Sequence, residues 1–269
     1  MRLYYYILER KIRMNKQSLL KRLFASAAAA AILAAALAGC GGAADTHKGL
    51  DASLEHAKEA VKNYSSSLNS MTFEFSDDAY SKASVAATLL SEKNGEEEMQ
   101  AAARNLKLDT IVIADEKGVV TASYPDDLKG KNIKETDYKA FNKVVKGIAV
   151  KLMPDPVKVQ DSDEYNVNAA VPRADGSGAV VIGFKTKDYA DITGENITNY
   201  CGVNTVVGKD GTILSASFKD MATGEKIETA GVTEENIAKD SFEMKQGDNS
   251  FICKGAKVGD YVVVCGEPK

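Results

Sequence analysis

The chain of 269 residues has no tryptophan and only two histidines, His47 and His56, both near its N-terminal end. A histidine general base, a catalytic triad and a histidine metal site are therefore unavailable to the rest of the chain. The acidic residues fall in solvated runs such as residues 96–98, Glu-Glu-Glu, which are typical of an exposed surface and not of an acid–base pair. We predict that the protein is not an enzyme and uses no cofactor or metal.

Acidic residues outnumber basic residues beyond the N-terminal segment. Residues 1–39 hold seven of the 34 Lys and Arg and one of the 38 Asp and Glu, so the remainder has 27 basic and 37 acidic residues, a net charge of −10. Proteins that bind nucleic acid carry a basic face. This balance argues against a nucleic-acid partner.

Long apolar runs are confined to the N-terminal end, where basic residues precede an Ala- and Leu-rich core at residues 23–36 and then Leu-Ala-Gly-Cys at residues 37–40. This pattern resembles a bacterial lipoprotein signal, whose apolar stretch is too short to remain as a spanning helix. The alternative is a transmembrane anchor. The resemblance implies a signal peptide over residues 1–39, with Met14 as an alternative start. Cys40 would carry palmitate or similar acyl chains, which hold a tether at residues 40–49 to the membrane.

Two segments share one hairpin pattern. Residues 111–123, IVIADEKGVVTAS, and residues 204–216, NTVVGKDGTILSA, each place a turn glycine, Gly118 or Gly211, between β-branched runs. A second match follows each hairpin, because LKGKNI ends at Ile133 and MATGEKI ends at Ile227. The chain therefore reads as two copies of one module, with positive φ at both turn glycines.

Helical patterns precede the first hairpin. Apolar residues recur at steps of three and four over residues 50–70, which predicts an amphipathic helix. Ser76, followed by two aspartates, predicts the N-cap of a second helix, and a third begins at Glu96.

Strand patterns follow the first hairpin, after a short helix over residues 137–146. Three strands are predicted over residues 148–160, 166–172 and 179–186, and Pro154 and Pro156 restrict the first of them to an edge or a bulge. Together with the hairpin they make a five-stranded antiparallel sheet with helices, an α+β module.

The second copy follows a helical segment over residues 188–200. Its middle, residues 220–239, has no clear pattern, and strands are predicted over residues 250–257 and 261–265.

These motifs, in this order and spacing, resemble the extracytoplasmic double Cache sensor domain of bacterial chemoreceptors and sensor kinases. The residues that carry the resemblance are the first hairpin, Leu128-x-Gly-Lys, Tyr138-Lys-Ala-Phe, Ala170-Val-Pro with Asp175-Gly, and Val180-Val-Ile-Gly. The resemblance implies an α+β fold of two PAS-like modules preceded by a long N-terminal helix. It places the membrane-distal module at residues 50–187, the membrane-proximal module at 188–269, and a small-molecule pocket in the distal one.

The chain departs from the amino-acid-binding branch of that family, which has Arg, one spacer and then Trp-Tyr where this chain reads Glu135-Thr-Asp-Tyr138. Only the tyrosine is retained, so the resemblance does not imply an amino acid as the ligand. Glu135 and Asp137 would suit a cationic or polyhydroxylated ligand, and the alternative is that they are solvated acids at a helix start.

The pocket is expected where the loop over residues 124–137, the short helix at Tyr138 and the strand at residues 165–168 converge over one face of the sheet. Tyrosines would stack and donate hydroxyl hydrogen bonds, Asn168 would recognise amides, and the two aspartates would pair with charges. The alternative is that the tyrosines only cap the core of the sheet. The predicted ligand-binding residues are Tyr124, Asp137, Tyr138, Tyr165, Asn168 and Asp188.

Three further cysteines, Cys201, Cys253 and Cys265, lie in an exported chain, where disulfides can form. Cys253 and Cys265 flank a turn almost symmetrically, so they either form a disulfide across neighbouring strands or all three remain free, buried thiols. Their spacing is not that of a zinc site.

The interpretation that follows is a lipid-anchored protein of the cell envelope that binds a small molecule outside the cytoplasm and presents its bound state to a receptor or transporter. The alternative is a structural or adhesive envelope lipoprotein that uses the fold without a ligand. A ligand that binds only the native state raises the melting temperature, which separates the two.

Overall fold

The computed structural model describes residues 48–125 and 127–269. Their contacts form two compact units. The first module is Tyr64–Ile197, and the second module comprises residues 48–63 with Thr198–Lys269. The sequence places residues 50–63 in the first module, whereas here they pack in the second, where the thiol of Cys201 lies 3.9 Å from the carbonyl oxygen of Ala57.

The described residues contain six α-helices and ten strands. The helices are α1 (Lys48–Leu89), α2 (Glu96–Leu106), α3 (Asn142–Val145), α4 (Tyr189–Thr193), α5 (Thr198–Cys201) and α6 (Glu234–Ile237). The strands of the first module are β1 (Thr110–Ala114), β2 (Val120–Tyr124), β3 (Val157–Lys158), β4 (Tyr165–Pro172) and β5 (Ala179–Thr186). Those of the second are β6 (Thr205–Lys209), β7 (Thr212–Ala216), β8 (Phe242–Gln246), β9 (Asn249–Val258) and β10 (Tyr261–Pro268).

Helix α1 is continuous over 42 residues, so the predicted break before Ser76 is wrong. The Ser76 hydroxyl donates to the carbonyl oxygen of Phe73 at 2.9 Å, as in a helix interior, and caps no helix. Asp78, predicted to complement a helix start, pairs instead with Lys82 one turn later at 2.9 Å. No helix in the described part of the chain is long and apolar enough to cross a membrane.

The first sheet is antiparallel in the order β2-β1-β5-β4-β3. Its helix face packs side chains such as Ile111, Ile113 and Ile182 against α1 and α2. Its opposite face, here called the loop face, packs Val112 and Val181 against residues that follow the hairpin, including Ile133, Phe141 and Val144. Burying each such side chain contributes about 1.5–3 kcal/mol. The loop face is the one over which a pocket is expected.

The second sheet repeats this topology in the order β7-β6-β10-β9-β8. In each module the segment after the hairpin folds back and contacts the hairpin turn. The backbone N–H of Ile133 donates to Gly118 O at 2.7 Å, and the backbone N–H of Ile227 donates to Gly211 O at 3.0 Å. The φ angles of Gly118 and Gly211 are +82° and +76°, as predicted. The α+β class with two five-stranded antiparallel sheets and a long N-terminal helix is confirmed.

Two strand predictions are corrected. Of residues 148–160, only β3 pairs as a strand, at the edge of the sheet, and Leu152 adds an isolated bridge to Ala170. Pro154 and Pro156 lie between them and lack the N–H that a longer ladder needs. In the second module β8 completes the sheet, although its alternation of Phe242 and Met244 with charged residues was available as a signal.

The shorter predicted helices are also corrected. Residues 137–146 form a 3-10 turn, Lys139–Phe141, followed by α3, and residues 188–200 contain α4 with the start of α5. Gly194, with a φ of +84°, ends α4 and prevents one continuous helix.

The three described cysteines are free and buried. In the β9–β10 ladder Cys253 pairs with Gly266 and Cys265 pairs with Lys254, so the two thiols project from opposite faces of the sheet. The predicted Cys253–Cys265 disulfide is therefore not formed, and the alternative of free thiols applies. Burial raises the pKa of Cys201 and Cys253 to about 12 and that of Cys265 to about 11.

Candidate functional site

A polar row crosses the loop face of the first sheet where β1, β5 and β4 meet. Thr110 lies opposite Gly183, and Gly183 lies opposite Asn168. The Tyr138 hydroxyl, which comes from the segment between β2 and β3, donates to Thr110 Oγ1 at 3.3 Å. Two hydroxyls and a carboxamide thus converge on one position, and we call these four residues the Gly183 site.

Gly183 makes room for this convergence. A Cβ at this position would lie 2.2 Å from Thr110 Oγ1 and 2.8 Å from Asn168 Oδ1, far inside van der Waals contact. A glycine within a strand often marks such a close approach. The polar atoms of the site therefore occupy space that any other residue at 183 would fill.

Further polar groups border the site on the same face. Ser123, opposite Val112 of β1, is buried, and its hydroxyl oxygen accepts from the backbone N–H of Leu128 at 3.3 Å. Asn166 and Lys185 form the next row toward the end of the sheet, and both are exposed. The site therefore offers hydrogen-bond donors and acceptors with one ammonium group nearby.

The predicted tyrosines do not lie together. Tyr138 is at the Gly183 site, whereas Tyr124 pairs with Ile111 and Tyr165 neighbours Val167, so both of these project to the helix face. Their predicted convergence with Tyr138 is wrong, because alternate residues of a strand point to opposite faces.

Tyr165 has a structural environment of its own. It stacks edge-on against Tyr189 with ring centroids 5.1 Å apart, and its hydroxyl donates to Glu195, which also pairs with Lys158. Burial, together with the Glu195 hydrogen bond, raises the pKa of Tyr165. This network joins strands β3 and β4 to the segment after α4.

The two predicted acids are on the surface. Asp137 is exposed beside the half-buried Tyr138, so it is near the site but not within the polar row. Asp188 is also exposed, and its backbone N–H bonds to Thr186 Oγ1 at 3.1 Å. Of the six predicted residues, the structure brings Tyr138 and Asn168 together at the Gly183 site.

The repeat allows a comparison with the second module, where Gly266 has the position of Gly183. A Cβ at Gly266 would lie 2.9 Å from both Cys253 Sγ and Phe218 Cζ. Phe218 in turn stacks edge-on against Phe251, with ring centroids 5.1 Å apart. The place that is polar in the first module is filled by apolar side chains in the second.

Sequence reasoning missed Thr110 and Gly183. A signal for Gly183 was present, because each module has an apolar run followed by a glycine, VVIG at residues 180–183 and VVCG at residues 263–266. Aligning the two copies would have marked both glycines. Thr110 carries no such signal, since only the strand register places it beside Gly183.

Within residues 48–125 and 127–269, no group of three or more His, Cys, Asp or Glu side chains is placed to hold a metal ion. The predicted lipidation residue, Cys40, and the signal peptide lie outside the described residues.

Comparison with known proteins finds similarity in structure only. No family model matches the chain, and no curated protein matches it. The ligand-binding domain of the Campylobacter jejuni chemoreceptor Tlp3 in complex with 4-methylisoleucine is 13% identical, with a TM-score of 0.43 over 84% of this chain and 96% of that one. The same domain in complex with L-valine is 14% identical, with a TM-score of 0.43 over 85% and 98%.

A third similar structure is the ligand-binding domain of the Pseudomonas aeruginosa amino acid chemoreceptor PctC in complex with GABA. It is 15% identical, with a TM-score of 0.37 over 82% of this chain and 98% of that one. 4-Methylisoleucine, L-valine and GABA are the ligands bound in those three structures.

Proposed function

We propose that the protein is an extracytoplasmic sensor of the double Cache type that binds a small polar molecule at the Gly183 site. The observation that carries this proposal is the convergence of Thr110, Tyr138 and Asn168 over a residue without a side chain. Two hydroxyls and a carboxamide can donate and accept hydrogen bonds, so they suit a ligand that does both. The filled position at Gly266 supports the first module as the binding module.

The ligand would replace or bridge the long 3.3 Å contact between Tyr138 and Thr110. That distance lies beyond the usual 2.5–3.0 Å of a hydroxyl–hydroxyl hydrogen bond, roughly. A ligand group placed to one side of the pair, within hydrogen-bond distance of both oxygens, would make two better bonds in place of one. Lys185 would pair with an anionic part of the ligand, and Asp137 with a cationic part.

The proposal further holds that Cys40 is acylated after signal cleavage and that the anchored protein presents its bound state to a receptor or transporter. The support is the lipoprotein-like sequence at residues 16–40. Several acyl chains hold a protein firmly, whereas one holds it marginally.

A thermal-shift screen of residues 44–269 against amino acids, polyamines, organic acids, sugars and nucleobases tests the binding function. A ligand at about 100 times its dissociation constant adds about 2.7 kcal/mol to native-state stability, which a melting curve resolves. Absence of any shift across these classes would support the structural or adhesive alternative.

Variants then locate the site. Asn168→Ala and Tyr138→Phe each remove a polar partner, and we expect each to weaken ligand binding by about tenfold or more, since an unpaired polar contact costs about 1–3 kcal/mol. Tyr138→Ala combined with Asp137→Ala should abolish the shift. Tyr165→Phe, on the opposite face, should lower stability but keep the ligand shift. Unchanged affinity in the Tyr138 and Asn168 variants would place the ligand elsewhere.

A further inference from the structure

The two sheets end in edges of different kinds. In each module the hairpin edge, β2 or β7, is partly covered by the segment after it, through backbone bonds such as Ile213 N–H to Glu225 O at 2.8 Å. The other edge of the first sheet, β3, is two residues long and follows two prolines. The other edge of the second sheet, β8, has five residues in continuous register, without proline or glycine. A strand edge of this kind can pair with a further strand.

Register decides which backbone groups of β8 point away from the sheet. Lys245 lies opposite Ser250 of β9, and the Ser250 carbonyl oxygen accepts from the backbone N–H of Lys269 at 2.9 Å, on the side of β10. Ser250 therefore bonds away from β8, and the backbone groups of Lys245 point outward. Because bonding direction alternates along a strand, those of Glu243 also point outward. Among the described residues no other strand pairs with this edge.

The side chains at these two positions carry opposite charges. Glu243 and Lys245 are exposed, whereas Phe242 and Met244 are buried in the module. Glu243 pairs with Lys269, but its side chain keeps 52% of its surface exposed. No ion pair of the described residues includes Lys245. The strand thus presents an acid and a base, two positions apart, beside outward backbone groups, and we call Glu243, Met244 and Lys245 the β8 edge.

These charges select one register for pairing with a second copy of the same strand. If the two-fold axis passes through residue 243 or residue 245, two glutamates or two lysines lie directly opposite each other, which is destabilising. If the axis passes through Met244, Glu243 of each copy lies opposite Lys245 of the other, which is stabilising. Each of these pairs also exchanges both of its outward backbone hydrogen bonds.

We propose that the β8 edges of two copies of the chain pair antiparallel about Met244 and join their second sheets into one continuous sheet. Both copies present the same strand, as a two-fold interface requires. Just beyond the strand Asp240 and Asp248 of the two copies would face each other, so pairing stops at Phe242 and Gln246. Such a short interface implies a weak dimer, with a dissociation constant between about 10 μM and about 1 mM. This proposal is independent of the Gly183 site.

Cysteine cross-linking tests the register. Residues 44–269, which contain both described modules, are prepared as Glu243→Cys and as a size-tagged Lys245→Cys, and the two variants are oxidised alone and mixed. The three native thiols of this span are buried. We expect mixed disulfide dimers in excess, because positions 243 and 245 of two copies are directly opposite, whereas like positions are diagonal and about 7–8 Å apart. Glu228→Cys, exposed elsewhere in the module, should cross-link poorly with Lys245→Cys.

Charge reversal tests the recognition. Sedimentation over a concentration series should show that Glu243→Lys and Lys245→Glu each weaken self-association by at least about tenfold, because each change puts like charges opposite each other in both pairs. The swap that combines Glu243→Lys with Lys245→Glu should restore association, since every opposite pair is again unlike. Glu228→Lys, the same charge change at an exposed position, should have little effect.

A chain that stays monomeric up to about 1 mM would overturn the proposal. It would also be overturned if the two single reversals behaved like Glu228→Lys, or if the swap failed to restore association. Disulfides that form mainly between like cysteines would exclude pairing about Met244.

Discussion

At the scale of single residues, glycines mark the positions where the fold is least tolerant of a side chain. Gly118 and Gly211 serve the hairpin turns through positive φ, whereas Gly183 and Gly266 lie within strands, where neighbouring side chains occupy the space that a Cβ would need. An added Cβ therefore destabilises the two pairs for different physical reasons: backbone strain at the turn glycines and steric clash at the strand glycines.

For the turn glycines, we expect Gly118→Val to destabilise the protein by about 1 kcal/mol or more, because a side chain at positive φ is strained. The added Cβ would also lie 3.3 Å from Ile133 Cγ2. Gly211→Val meets nothing within 4 Å and should show the conformational strain alone. Urea unfolding measures the loss in the free energy of unfolding for each variant. Equal stability of wild type and Gly118→Val would contradict the turn assignment.

For the strand glycines, Gly183→Ala should remove the thermal shift produced by whichever ligand the screen identifies, because its Cβ displaces Thr110 and Asn168. Gly266→Ala is the matched control, since it crowds Cys253 and Phe218 in the other module. It should lower stability and keep the ligand shift. A ligand shift that survives Gly183→Ala but is lost in Gly266→Ala would move the site to the second module.

At the scale of elements, α1 shows how a capping signal can be overridden. Serine followed by two aspartates is a common helix start, yet here the apolar stripe continues through it, and Ala79 and Ala83 are fully buried. Propagating an existing helix costs less than nucleating a new one, so burial of that stripe keeps the helix continuous.

The continuity of α1 can be tested at Ser76. In a helix interior, Ser76→Ala should be neutral or stabilise by a few tenths of a kcal/mol, roughly, because Ala has the higher helix propensity. At an N-cap the same change would cost about 1 kcal/mol. Ser76→Pro should cost about 3 kcal/mol through the lost backbone bond and the steric clash. Chemical denaturation gives the sign, and a clear loss in Ser76→Ala would restore the two-helix interpretation.

At the scale of the whole molecule, the buried thiols make stability depend on alkaline pH. An unfolded thiol ionises near its ordinary pKa of 9.0, whereas burial raises the pKa of Cys201 and Cys253 to about 12 and that of Cys265 to about 11. Between these values the native state retains protons that the unfolded state has lost, so raising the pH favours unfolding. Below about pH 9 the thiols are protonated in both states and the full free energy of unfolding is retained. As the pH rises toward the native pKa values, that free energy decreases.

We therefore expect the free energy of unfolding to fall between about pH 9 and about pH 11, by up to about 1.4 kcal/mol per pH unit for each thiol. Unfolding curves with a reductant present measure this slope. A Cys201→Ala variant should have a shallower slope than wild type, and an identical slope would show that Cys201 does not contribute to it.

Anchoring also belongs to the whole molecule. If Cys40 carries the acyl chains, Cys40→Ala should release the protein from membranes or leave it as an uncleaved precursor. Membrane fractionation and the size of the mature chain provide the readout, with Cys201→Ala as a cysteine control that should stay anchored. Unchanged size and membrane retention in Cys40→Ala would refute lipidation. Translation from Met14 should give the same mature protein.

Local patterns in the sequence determined the hairpins, the positive φ at Gly118 and Gly211, the α+β class and the repetition of one module. Such features depend on residues close together in the chain, so periodicity and turn chemistry are sufficient to predict them.

Tertiary structure alone decided which side chains meet. The face that a strand residue takes follows from register, and a shift of one residue reverses it. Register between β1 and β5 joins residues more than 70 positions apart, with Thr110 opposite Gly183, and no local pattern encodes that pairing. Tyr138 contacts Thr110 and Asn168 lies over Gly183 on the loop face, whereas Tyr124 and Tyr165 lie on the opposite face, a division that the sequence pattern did not predict.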